Sequence, residues 1–66
     1  MQISLNGESQ QVRDGASLSD LVEQLGLTGK RIAIELNMEI IPRSEHPSTV
    51  LAENDTVEIV NAIGGG

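Results

Sequence analysis

The sequence predicts an α+β domain in which a four- to five-stranded sheet carries one helix across a single face. Three observations support this. Apolar residues alternate at period two in three separate stretches (Met1, Ile3, Leu5; Ile32, Ile34, Leu36; Val57, Ile59), as in strands with one buried face. One further stretch, Leu18, Leu21, Val22 and Leu25, has the i, i+3, i+4, i+7 spacing of a single helical stripe. Between these stretches stand residues that favour turns and helix ends.

In chain order, Met1, Ile3 and Leu5 alternate with Gln2 and Ser4 in a first strand. Asn6-Gly7 follows, suited to a type I′ hairpin because both central positions take φ > 0. The returning residues 8–12 are mostly polar, which suits a sheet edge, where polarity discourages stray pairing. Asp14-Gly15 closes the unit. Ser17 is placed as a helix N-cap, with Asp20 three residues on in an acidic form of the capping box. Asp20 and Glu23 lie off the apolar stripe, toward solvent. Gly26 ends the helix in the left-handed conformation, with Leu27 folding back on the last turn. Thr28-Gly29-Lys30-Arg31 leads into the strand of Ile32, Ile34 and Leu36. This Gly-Lys pair is no phosphate loop, which needs glycine where Gln24 stands and Ser or Thr where Arg31 stands. Asn37-Met38 turns into a short strand, 39–41, stopped by Pro42. Residues 43–49, polar and containing Pro47, form a loop or one turn of 3₁₀ helix. Val50 and Leu51 cover one edge of the core, and Glu53-Asn54-Asp55 is a turn. The last strand, 56–62, puts Val57, Ile59 and Asn61 on one face and Glu58, Val60 and Ala62 on the other. The first, third and fifth strands carry the apolar alternation and belong at the sheet centre.

Composition narrows the function. With 66 residues and no Phe, Tyr or Trp, this is one small domain with an aliphatic core. A domain of this size buries only about 60% of its unfolded surface, so its stability is modest. Without cysteine there is no disulfide or thiolate-held metal, and one histidine does not build a metal site. Single-stranded nucleic acid finds no aromatic stacking platform. Four basic residues against ten acidic ones give a net charge of −6, which repels phosphate backbones and favours a basic partner. The first residues carry neither a basic lead nor a long apolar run, so a cytoplasmic location is expected, without signal peptide or membrane span.

Catalytic groups are sparse. His46, between Glu45 and Pro47, reads as a surface histidine. Ser44, Ser48 and Thr49 near it show no activated nucleophile. Glu53 and Asp55 read as a solvated turn, and Arg43 as one half of an ion pair, either local or with a partner. Lys30 and Arg31 read as solvation. Val60 and Ala62, with Ala33 beside them if the strands pair as expected, form an apolar patch on the outer face of the sheet. That patch is either covered by a loop or a docking surface.

The sequence closes on Ala62-Ile63-Gly64-Gly65-Gly66. Three successive glycines do not pack as structure. Fully extended they reach about 10 Å beyond Ile63, at roughly 3.3–3.6 Å per residue, and present the α-carboxylate of Gly66 at the tip. They are either a frayed end or a functional arm: residues 1–63 would be the domain and 64–66 a flexible tail.

Met1-Gln2-Ile3 with Leu5-Asn6-Gly7, Ala33-Ile34-Glu35-Leu36-Asn37, Ile41-Pro42-Arg43 and the closing glycines together resemble the β-grasp (ubiquitin-like) sulfur carriers of thiamine biosynthesis, over the whole length. A third glycine departs from the usual pair. The resemblance implies a mixed sheet and a cycle. An E1-like adenylyltransferase, using its own ATP and magnesium, adenylates Gly66 while Gly64 and Gly65 thread the tail into its active site. A persulfide donor of the cysteine desulfurase or rhodanese type then displaces AMP, leaving a thiocarboxylate, and thiazole synthase accepts the sulfur. Ile63, Ala62, Val60 and Ala33 would contact the partner. The chain itself would be a carrier rather than an enzyme, with no bound cofactor. Three other readings remain open: a molybdopterin sulfur carrier, a lysine-linked modifier, and a β-grasp interaction module in which the glycines are idle.

Overall fold

In the computed structural model, which describes residues 1–61, the first hairpin forms where Asn6-Gly7 demands it. Strands β1 (Gln2–Leu5) and β2 (Glu8–Gln11) pair antiparallel with Leu5 opposite Glu8, and the two turn residues take φ of 50° and 85°. Helix α1 (Leu18–Gln24) starts at the predicted capping box. Ser17 Oγ accepts the Asp20 N–H at 3.1 Å, and Asp20 Oδ2 accepts the Ser17 N–H at 2.9 Å. Asp20 is therefore engaged rather than simply solvated, and Arg13 Nη2 donates to the same oxygen at 2.9 Å. The helix stops at Gly26, whose φ is 72°. The Gly26 N–H reaches the Glu23 carbonyl at 3.1 Å and the Leu27 N–H the Val22 carbonyl at 2.9 Å, a Schellman ending.

Strands β3 (Ile32–Leu36) and β4 (Glu39–Ile41) form a second hairpin around Asn37 and Met38, both at positive φ. A 3₁₀ helix (Arg43–Ser48) follows Pro42, and β5 (Thr56–Asn61) is the last described strand. The sheet order is β2-β1-β5-β3-β4. The β1–β5 pairing is parallel and the other three are antiparallel. The three apolar strands hold the centre and polar β2 the edge, as their patterns require.

Leu18 and Leu21 of the helix pack with Ile3, Ile34, Val57 and Ile59 from the three central strands, and Val12, Ala16 and Leu51 close the margins. Val22 and Leu25 are only partly buried against this cluster. The structure corrects two expectations. Val50 does not cover the core edge: it is 60% exposed while Leu51 is buried. The segment runs extended there, with Leu18 N–H bonded to the Thr49 carbonyl and Leu51 N–H to the Ala16 carbonyl, so successive side chains point to opposite sides. Asn61 keeps the register of Val57 and Ile59, as expected, and is exposed. His46 is the second correction. It is 6% exposed rather than a surface histidine, because the 3₁₀ helix packs against α1 and turns the imidazole inward. Its Nε2 lies 3.0 Å from the Ile41 carbonyl, to which it donates. The predicted boundary between residues 63 and 64 lies outside the described residues.

Candidate functional site

The site is organised by β5, and β5 is held on both sides. Asn37 N–H donates to the Thr56 carbonyl at 2.7 Å, which sets the alternation along the β3–β5 ladder. Val57, Ile59 and Asn61 therefore turn their backbone groups toward β1. Asn6 N–H donates to the Val57 carbonyl at 2.9 Å. Its carboxamide then does the work of one more strand residue: Oδ1 accepts the Ile59 N–H at 2.9 Å and Nδ2 donates to the Ile59 carbonyl at 3.2 Å. The hairpin turn that gives Asn6 its positive φ also clamps β5 two residues before its described end. Sequence reading saw only the turn in this residue.

On the outer face, Ala33 lies opposite Val60 and Glu35 opposite Glu58, as expected from pairing of these strands. Among the described residues no loop covers the patch: Val60 is 57% exposed, and Ile40, opposite Glu35 on β4, is 64% exposed. Ile40 thus enlarges a patch first read as Val60, Ala62 and Ala33. Strand alternation carries the signal for it, since Ile41 is turned to the core and its neighbour must face out. Of the residues singled out for function, the structure brings Val60 and Ala33 together. Ala62, Ile63, Gly64, Gly65 and Gly66 lie outside the described residues. Beside Asn61 a shallow groove of about 220 Å³ opens between Leu25 and Leu27 after the helix and Ile32 and Val60 on the sheet.

The other candidates resolve differently. Arg43 joins no ion pair; its Nη2 donates to the Lys30 carbonyl at 2.6 Å. Asp55 is not idle in its turn: Oδ2 accepts the Ala52 N–H at 2.8 Å, and Oδ1 the Asn37 Nδ2 at 3.1 Å. Asp20 is held below the ordinary carboxylate value, chiefly by the Ser17 N–H and further by Arg13. No described group has the geometry of a nucleophile and its base.

A match to the ThiS family covers residues 3–66, almost the whole chain. The chain belongs to the ThiS family. The ThiS sulfur carrier protein of Bacillus subtilis is 32% identical over 65 residues, which are 97% of this chain and 98% of that one. A thiazole synthase of Magnetococcus marinus is 38% identical over 66 residues, all of this chain but 20% of that protein. The chain thus spans a fifth of the length of that synthase. The crystal structure of the ThiS protein from Geobacter metallireducens superposes with a TM-score of 0.87 at 26% identity, covering both chains fully. The fold is therefore the ThiS β-grasp, a five-stranded mixed sheet with one helix.

Proposed function

We propose that this ThiS-family chain carries sulfur for thiazole formation as a thiocarboxylate on Gly66. One observation supports this above the others: the family match runs through residue 66 and so includes the glycines. The likeness to a thiazole synthase whose sequence contains a segment like this whole chain supports thiazole synthase as the acceptor. In this reading an E1-like adenylyltransferase docks on the outer face at Val60 and Ala33, together with Ala62 and Ile63. Gly64 and Gly65 thread the arm into its active site. The Gly66 carboxylate attacks the α-phosphate of ATP and pyrophosphate leaves; ATP and magnesium are the partner's. A carboxylate is a poor electrophile, and the acyl-adenylate provides the leaving group it lacks. A persulfide sulfur attacks the carbonyl, AMP departs, and a thiol cleaves the remaining S–S bond to free the thiocarboxylate. The chain is the substrate of this sequence and not its catalyst.

The test is mass spectrometry after incubation with the adenylyltransferase, ATP and a persulfide donor. Exchange of one oxygen for sulfur is expected in tryptic fragment 44–66, which contains no methionine to mimic it by oxidation. Deletion of Gly65 and Gly66 should abolish the gain. An unmodified fragment under these conditions would overturn the reading and favour an interaction module.

A further inference from the structure

Basic side chains are scarce in this molecule, and they are not spread evenly. Of the four Lys and Arg residues, Lys30, Arg31 and Arg43 meet at one corner. Lys30 and Arg31 directly precede β3, and Arg43 opens the 3₁₀ helix and is tied to the Lys30 carbonyl at 2.6 Å. Ile32 pairs with Asn61, so this is also the corner where the chain leaves β5. A molecule of net charge −6 thus gathers three of its four Lys and Arg residues at the root of its C-terminal segment.

Among the described residues, no carboxylate pairs with Lys30 or Arg43. Arg13 is paired with Asp20 and the N-terminal amine with Asp14. Among the described residues neither Lys30 nor Arg43 has a carboxylate within 4.0 Å, although Glu23 lines a second groove together with both and Glu45 follows Arg43 by two residues. Arg43 spends one guanidinium nitrogen on a backbone carbonyl that holds it in place, and Lys30 makes no side-chain hydrogen bond. A fixed guanidinium beside an unengaged ammonium suits a carboxylate brought by another molecule.

We propose that Lys30 and Arg43 form an electrostatic collar that docks on an acidic rim around the channel the C-terminal segment enters, on the partner adenylyltransferase. This rests on the carrier reading above and adds the chemistry of that partner's surface. The collar reads orientation. The rest of the carrier is repelled by an acidic rim, so approach with the β5 end first is favoured over every other approach. The open sheet face supplies apolar contact, and the collar sets which end leads.

The experiment compares two variants of equal charge. Lys30→Gln with Arg43→Gln takes the chain from −6 to −8, and Ser9→Glu with Gln11→Glu does the same on exposed β2 positions at the far edge of the sheet. Affinity for the adenylyltransferase is measured by titration calorimetry across a salt series, with Lys30→Gln alone as a variant that touches no intramolecular bond. The collar variant is expected to bind at least about tenfold more weakly at low salt, the difference narrowing as screening shortens below 10 Å near 0.1 M. The control should stay within about twofold. Equal weakening of both variants would mean bulk charge, and would overturn the proposal. So would salt-independent weakening, tighter binding of the collar variant, or a parent chain that sediments as a dimer which the collar variant fails to form, which would make the occupant a second copy. Thiocarboxylate formation on the wild-type chain separates the outcomes. If it fails, the carrier reading falls; if it succeeds while the collar variant binds normally, only the collar falls.

Discussion

Replacing Asn6 by glycine isolates the clamp on β5. Glycine keeps the positive φ that the turn requires, so the hairpin geometry survives while both carboxamide bonds to Ile59 are lost. Each bond contributes about 0.5–1.5 kcal/mol, so about 1–3 kcal/mol is at stake. At about 2.1 cal/mol/K per residue, 66 residues give an unfolding entropy of about 140 cal/mol/K, and each kcal/mol shifts Tm by about 7 °C. The expected fall is therefore about 7–20 °C by calorimetry, a large share of the stability of so small a domain. Asn6→Asp retains the acceptor for the Ile59 N–H but sets a second oxygen against the Ile59 carbonyl, so it should recover none of the second bond. Amide exchange at Ile59 should quicken in Asn6→Gly more than at Ile34, which lies in the core of β3. Unchanged Tm together with an Ile59 amide still protected would refute the idea that this side chain acts as a strand residue.

Two other perturbations test the scaffold. Met38 is 86% exposed at a φ of 72°, so Met38→Gly should raise stability by about 1 kcal/mol in urea denaturation, because it relieves left-handed strain and so exposed a side chain gives up little packing. The folded state depresses the Asp20 pKa below its ordinary 3.8, so the stability it lends is full above that value and lost as pH falls through the folded value. The stability difference between the parent and Asp20→Asn should accordingly be flat at neutral pH and shrink below about pH 4; a difference that grows with acid would contradict the assignment.

The elements were legible wherever a local rule forced them. Asn6-Gly7 can hardly be other than a hairpin, and Ser17 with Asp20 and Gly26 bracket a helix by chemistry confined to a few residues. What could not be read were properties that depend on a distant neighbour. His46 sits in a polar string, and only the packing of the 3₁₀ helix on α1 makes it a core residue. Arg43 looks for an acid in sequence and finds the carbonyl of Lys30, thirteen positions away. The parallel β1–β5 pairing leaves no mark in either strand, because alternation reports burial and not direction. The Val60 and Ala33 patch was visible from strand phase, whereas its openness needed the whole sheet.

The placement of β5 also has a mechanical consequence. A partner that draws on the chain beyond Asn61 loads this strand along its own axis. With β1 on one side and β3 on the other, the strand cannot peel away one hydrogen bond at a time, as an edge strand does under a sideways pull. It must slide past both neighbours at once, so the bonds from Thr56 to Ile59 share the load and give way together. A chain drawn by the residues beyond Asn61 is thus loaded in shear, the direction a sheet resists best.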